Sequence, residues 1–169
     1  MHLCVSMAVE SNINFLRLGR SDHDLVRHIE VAPEQIVYCG TVDMAFAAVE
    51  DDLDLYAILA ADKAVGFFKI DLKFPRTYSF ARAGDLGLRA FMIDHRQQGR
   101  GLGKATLQAL PAALRKLYPA AQALVLTVNL RNPIAVRSYL GAGFVDTGEL
   151  YEGGLAGPQH VMRLPLAKA

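Results

Sequence analysis

Residues 96–105 read Arg-Gln-Gln-Gly-Arg-Gly-Leu-Gly-Lys-Ala. Gly99, Gly101 and Gly103 alternate there with Arg100 and Leu102, between an apolar run at 88–93 and a helical pattern that starts near Leu102. An apolar strand, a glycine-rich turn and a helix start, in that order, make an anion site. Glycine lets the backbone turn tightly and bring its N–H groups close to a ligand. The first N–H groups of a helix lack internal partners, and the helix dipole makes that end positive. A phosphate or pyrophosphate is the natural guest.

Two familiar phosphate loops do not fit. A G-x-x-x-x-G-K-[ST] loop ending on Gly103-Lys104 would need a glycine at Gln98 and a hydroxyl at Ala105. A G-x-G-x-x-G fingerprint starting at Gly99 meets Lys104 where its last glycine belongs. Gln98 through Gly103 does fit Q/R-x-x-G-x-G/A. In this the chain resembles the GNAT superfamily of acyl-CoA N-acyltransferases, whose pyrophosphate loop has that form. Residues 129–144 read Asn-Leu-Arg-Asn-Pro-Ile-Ala-Val-Arg-Ser-Tyr-Leu-Gly-Ala-Gly-Phe. They resemble the other hallmark of that superfamily: a strand leading to Asn, a short helix carrying Ala and Tyr, then Gly-Phe.

The resemblance implies an acetyl-CoA-dependent N-acetyltransferase, working by direct attack of a primary amine in a ternary complex. It places Gln98, Gly99, Arg100, Gly101, Leu102, Gly103 and Lys104 at the pyrophosphate. Phe91, the backbone of Ile93, Asn132 and Ala135 would line the pantetheine arm. That arm would lie where two parallel strands, 86–93 and 124–128, splay apart and leave backbone groups free, much as an added strand would. Asn132 is equally suited to capping the helix that follows it. Tyr139 matches the position of the family's general acid. A phenol with a reference pKa of about 10 is protonated at neutral pH and can supply the leaving thiolate with a proton. Its other reading is a ring packed in the core.

No spacing singles out a base. Asp94, His95, Glu34, Tyr38, Asp85 and Glu149 are the candidates, and an ordered water chain is the alternative. His23, His28 and His160 read as surface or strand-end residues. No metal is expected, since no His or Cys pair has ligand spacing. For the acceptor, residues 31–41 fall where the family carries a variable acceptor loop. Gly148-Glu149-Leu150, Gly153 and Val161-Met162, with Phe91-Met92-Ile93-Asp94, resemble the bacterial spermine/spermidine N-acetyltransferases. A polyamine needs carboxylates at its amine spacing. Glu34, Tyr38 and Glu149 are the substrate candidates, with Glu30 and Glu152 behind them. Two other readings stay open: acetylation of a peptide or protein N-terminus or lysine, and a regulatory module that holds acyl-CoA without turnover.

Short elements must position these residues. The pattern predicts strands at 13–18, 55–60, 64–72, 86–93, 124–128, 144–151 and 161–166. It predicts a helix from a Ser21 cap towards Val31 and one or two short helices within 34–48. An acidic turn at 51–54 and a polar loop at 75–85 follow. A helix at 102–117 would bury Leu107, Leu110, Leu114 and Leu117, with Pro111 bending it. A helix at 133–140 starts on proline after Asn132. The fold class is α/β: a single domain over 1–169 with a mixed, splayed central sheet flanked by helices, and 1–12 an irregular extension.

Composition agrees. The chain has 169 residues, 52% apolar, with a net charge of +1. That suits one domain with a full core and argues against nucleic acid as a partner. The apolar runs are too short for a bilayer span, so no membrane partner is expected. Residues 1–10 lack a basic start and a long apolar core, which makes cytoplasm the default. Met7 is an alternative start. Two cysteines, Cys4 and Cys39, make no disulfide framework. The oligomeric state is left open, a homodimer included.

Overall fold

The computed structural model describes residues 12–167. Cys4, the Met7 start and nearly all of the extension expected at 1–12 lie outside the described residues. Seven strands form one sheet in the order β1-β2-β3-β4-β5-β7-β6. They are β1 Ile13–Leu18, β2 Leu53–Ala60, β3 Lys63–Asp71, β4 Asp85–Ile93, β5 Ala123–Asn129, β6 Val145–Tyr151 and β7 Gln159–Pro165. Every neighbouring pair is antiparallel except β4 with β5. The helices are α1 Ile36–Cys39, α2 Val42–Ala47, α3 Phe74–Thr77, α4 Leu102–Leu117 and α5 Pro133–Gly141.

Two layers of side chains cover the sheet. On one face Leu102, Leu107, Leu110 and Leu114 of α4 pack on Phe68, Ile70, Leu86, Leu88, Leu124 and Leu126. On the other face, Val42 and Ala45 of α2 cover Ala57, Phe67 and Met92. Further along that face Phe74 of α3 covers Ala123, Val125 and Val161.

β4 changes phase part-way along. Phe67 faces Met92, but Lys69 faces Arg89, so β4 spends one residue more than β3 over that stretch. The extra residue is a bulge at Ala90, whose φ of 52° is left-handed although it is not glycine. The bulge sends Phe91 and Ile93 to the α4 face and Met92 to the α2 face.

Several expectations change. The helix from Ser21 is only a 3-10 turn, His23–Leu25, flanked by Asp22 and without a side-chain cap. The carbonyls of His28 and Glu30 are spent on the turn after β4 instead of on helical bonds. The acidic turn is shorter than 51–54, because Leu53 and Asp54 are already in β2. Asp54 is buried there, bonded to Arg17 at 2.6 Å and to the Tyr118 hydroxyl at 2.5 Å. The loop expected at 75–85 contains most of α3 and the first residue of β4. α4 has the bounds expected and runs unbroken through Pro111, but Leu117 is 48% exposed, and Leu102 and Thr106 are buried instead. No helix among the described residues is long and apolar enough to cross a membrane.

Candidate active site

The parallel pairing of β4 and β5 lasts for three residue pairs: Asp85 with Ala123, Leu86 with Leu124, and Gly87 with Val125. Beyond them β4 pairs only with β3, and β5 only with β7. Burial falls where the strands part. Arg89, Ala90, Phe91 and Thr127 are half-buried, although the residues before them are fully buried. Backbone groups along the two inner edges are left without strand partners, and an extended ligand can supply them.

The glycine loop joins the end of β4 to α4. Gly99 and Gly101 have φ of 79° and 77°, and a Cβ built on either would meet nothing within 4 Å. The space in front of this backbone is therefore open. α4 has no side-chain cap, and its first intrahelical bond runs from the Ala105 N–H to the Gly101 carbonyl at 3.0 Å. The N–H groups ahead of it point outward from the positive end of a sixteen-residue helix. Arg100 and Lys104 are exposed beside them, with Arg100 Nη1 donating to Gln97 Oε1 at 2.5 Å. This cradle fits a pyrophosphate. Two loop residues contribute backbone only. The Leu102 side chain lies in the core. Gln98 Nε2 turns inward and donates to the Ile93 carbonyl at 2.9 Å and to Gln35 Oε1 at 3.1 Å.

Three of the candidate bases are held in structural ties. Asp94 is buried and caps the 3-10 turn His95–Gln97. Its oxygens take Arg96 Nε at 3.1 Å and Nη2 at 2.8 Å. Burial alone would raise its pKa, but the Arg96 hydrogen bonds outweigh that and hold it below the usual carboxylate range. The His95 ring bonds the Glu30 carbonyl at 2.9 Å. Asp85 is buried and receives both Arg163 nitrogens, at 2.7 and 2.6 Å. Of the other histidines, His23 meets Asp43 at 2.6 Å, and His160 meets Asp146 at 3.3 Å. No group of three His, Cys, Asp or Glu side chains among the described residues could hold a metal.

On the far side of the gap, the Asn132 Oδ1 accepts the Ala135 N–H at 3.3 Å, which caps α5. The Tyr139 ring packs edge-on to Phe91 at the lip of β4, centroids 6.3 Å apart, and to Phe144 at 5.5 Å. Its hydroxyl has no hydrogen-bond partner among the described residues and is not sealed from solvent. Burial, and then the nearby Cys39 thiol, push the Tyr139 phenol well above its ordinary value. Cys39 itself is pushed up to about 11 by burial. Sequence reasoning passed over Cys39, because its place beside Tyr139 depends on how α1 docks. α1 also reaches across through Tyr38, whose hydroxyl donates to the Arg131 carbonyl at 3.4 Å.

The acidic candidates are not brought together. Glu34 and Glu149 are exposed, on the 3-10 turn Pro33–Gln35 and on β6, and neither forms an ion pair among the described residues. One charged group beside the start of the gap was not singled out by the sequence. Lys69, Asp71 and Arg89 share the sheet face opposite α4, between the apolar clusters under α2 and α3. Arg89 Nη1 bonds Asp71 Oδ2 at 3.1 Å.

Comparison with known proteins agrees with this geometry. The family model "Acetyltransferase (GNAT) domain" matches residues 29–157. The spermine/spermidine N(1)-acetyltransferase of Bacillus subtilis (strain 168) is 40% identical over 86 residues, 51% of this chain and 55% of that protein. A probable spermine N(1)-acetyltransferase of Bacillus subtilis subsp. natto (strain BEST195) is 38% identical over the same length. The matched part of the chain thus spans about half the length of these curated relatives. Among solved structures, the spermidine N-acetyltransferase of Vibrio cholerae with CoA and spermine has a TM-score of 0.68 at 16% identity, covering 91% of this chain and 95% of that one. An aminoglycoside acetyltransferase in complex with coenzyme A has a TM-score of 0.70 at 16% identity, covering 90% and 94%. At such identities the structures show a shared fold. The family match extends over most of the chain, including the glycine loop, the parted strands and the segment from Asn132 to Tyr139, and the chain belongs to the GNAT acetyltransferase family.

Proposed function

We propose that the chain transfers the acetyl group of acetyl-CoA to the primary amine of a small molecule, with both substrates bound together. One observation carries the reading: β4 and β5 part beside an uncapped helix N-terminus built on glycine. An acyl-CoA needs both features, an anion site and a slot where an amide-bearing arm meets unpaired backbone groups. When bound, acetyl-CoA supplies an acyl group activated as a thioester.

The residues divide the remaining work. The backbone of Gly99, Gly101, Leu102 and Gly103, with Arg100 and Lys104, holds the pyrophosphate. Phe91, Ile93, Asn132 and Ala135 line the arm, while Gln98 pins the loop to the end of β4. Tyr139 holds a proton on an unpartnered hydroxyl, and burial keeps it protonated at neutral pH. It gives that proton to the departing sulfur. Asp94 and Asp85 are tied up in arginine ion pairs, which favours water as the route for the proton of the attacking amine. Polyamine acetylation is the activity named for the Bacillus relatives, which makes polyamines the first acceptors to test. Tyr38, Glu34 and Glu149 are the residues for reading such an acceptor.

Thiol release from acetyl-CoA, followed against amines, polyamines and peptides, tests the reading. Release with small amines is expected. Faster release with peptides moves the acceptor to a polypeptide. Acetyl-CoA binding without release to any acceptor makes the chain an acyl-CoA-binding module.

A further inference from the structure

The pyrophosphate cradle lies at the start of α4, on one side of the sheet. An acceptor reaching the same gap from the opposite side meets the face that carries Lys69, Asp71 and Arg89. Strand alternation fixes this. Phe68 and Ile70 of β3 pack under α4, so Lys69 and Asp71 point the other way. Leu86 and Leu88 of β4 pack under α4, and Arg89 also points away. Arg89 stands two residues beyond Gly87, the last residue of β4 that pairs with β5.

Charge on this face does not balance. Asp71 is fully buried, and both of its oxygens are in use. One takes Arg89 at 3.1 Å, and the other takes the Lys73 N–H at 3.0 Å. Lys69 lies directly opposite Arg89 and is only 8% exposed. Its ammonium has no hydrogen-bond or ion-pair partner among the described residues, yet it is not sealed from solvent. Two cations and one carboxylate leave one positive charge over. A buried ammonium without a partner is costly, and natural chains seldom keep one without a use. Burial, and then Arg89, hold its pKa below the ordinary lysine range, a penalty that an anion bound beside it would offset.

We infer that Lys69, backed by Arg89, is a subsite for an oxyanion on the acceptor, so that the acceptor is an amine that also carries a carboxylate or phosphate. The inference rests on the acetyltransferase reading above. It sets this chain's acceptor apart from a bare polycation, whose second ammonium would meet Lys69. The arrangement suits a bifunctional molecule: the oxyanion anchors against β3 and β4, and the amine extends towards Tyr139 across the gap.

Matched probes of similar length test this: pentylamine, 1,5-diaminopentane, 5-aminopentanoate and 3-aminopropyl phosphate. Calorimetry on the CoA-bound protein measures binding without turnover, and thiol release measures transfer. One or both anionic probes should bind at least tenfold more tightly than pentylamine and the diamine. The tighter of the two identifies carboxylate or phosphate. Lys69→Met should remove that preference while leaving pentylamine binding unchanged, and Lys69→Arg should retain part of it. Equal binding of all four probes, binding of none, a preference for the diamine, or a preference unchanged in Lys69→Met each overturns the subsite. Lys69-dependent binding of an anionic probe, with no thiol release to that probe or to any other acceptor tried, overturns the transferase reading and leaves the subsite standing.

Discussion

Gly101→Ala separates ligand binding from folding. Gly101 flanks α4 with φ 77° and ψ 10°. An alanine forced into that left-handed conformation costs about 1–2 kcal/mol. Nothing lies within 4 Å of the added Cβ, so no packing penalty joins the backbone cost. For a chain of this length that is a fall in Tm of roughly 2–8 °C. The same methyl group projects into the open space that a pyrophosphate would fill. Losing one hydrogen bond to a charged group removes about 1.5–3 kcal/mol of binding, or roughly 10- to 150-fold in Kd. Gly101→Asp adds like charge and should abolish binding. Calorimetry with coenzyme A, on protein shown to be folded by its melting curve, is the assay. A Kd within twofold of the parent in folded Gly101→Ala refutes the cradle.

Tyr139→Phe should lower kcat by roughly ten- to ten-thousand-fold and leave coenzyme A affinity unchanged, since only the hydroxyl is lost; turnover within twofold of the parent makes Tyr139 a packing residue. Asp94 has a folded pKa below its ordinary value of about 4, so its pairing stabilises fully above that value and is lost as pH falls through the folded one. Asp94→Asn should therefore lower Tm at pH 7 by roughly 2–4 °C, a modest figure because Arg96 is half exposed, and the difference from the parent should shrink in melts at acid pH. Gly66→Ala places a Cβ 2.6 Å from the Met92 carbonyl oxygen and 2.8 Å from Ile58 Cδ1. Overpacking there should destabilise by about 1–3 kcal/mol in chemical denaturation, and an unchanged midpoint would show that β3 and β4 can move apart freely.

The strands and α4 were legible because each repeats a period. Leucines at 107, 110 and 114 mark one helix face, and the runs at 13–18 and 124–128 end at turns. The glycine loop was legible because its chemistry is local: turn, N–H groups and charge within ten residues. Features that depend on contacts between distant parts of the chain were not. Asp54 reads as part of an acidic turn until Arg17 and Tyr118, 37 and 64 residues away, meet it in the core. The bulge at Ala90 carries no glycine or proline to announce it, and it decides which face Phe91 and Met92 join. Asp94 and His95 look reactive in isolation, and only the folded chain brings His28 and Glu30 close enough to engage Arg96 and His95. Lys69 looks like an ordinary exposed strand lysine, because its burial depends on β4, which sets Arg89 directly opposite it.

Three residue pairs join β4 to β5, so the sheet is two antiparallel halves, β1 to β4 and β5-β7-β6, meeting along a short seam. A ligand lying in the gap extends that seam and acts as a removable strand. It would favour the closed sheet by mass action, contributing about 2.7 kcal/mol at a hundred times its Kd. Those amide protons of Leu126 to Asn129 that point away from β7, into the gap, would then slow their exchange with solvent in proportion to the supply of acyl donor. The lifetime of the protein in a cell would track that supply as well, since proteases act on what opens. The donor's concentration would set how much of the protein persists as well as how fast it turns over.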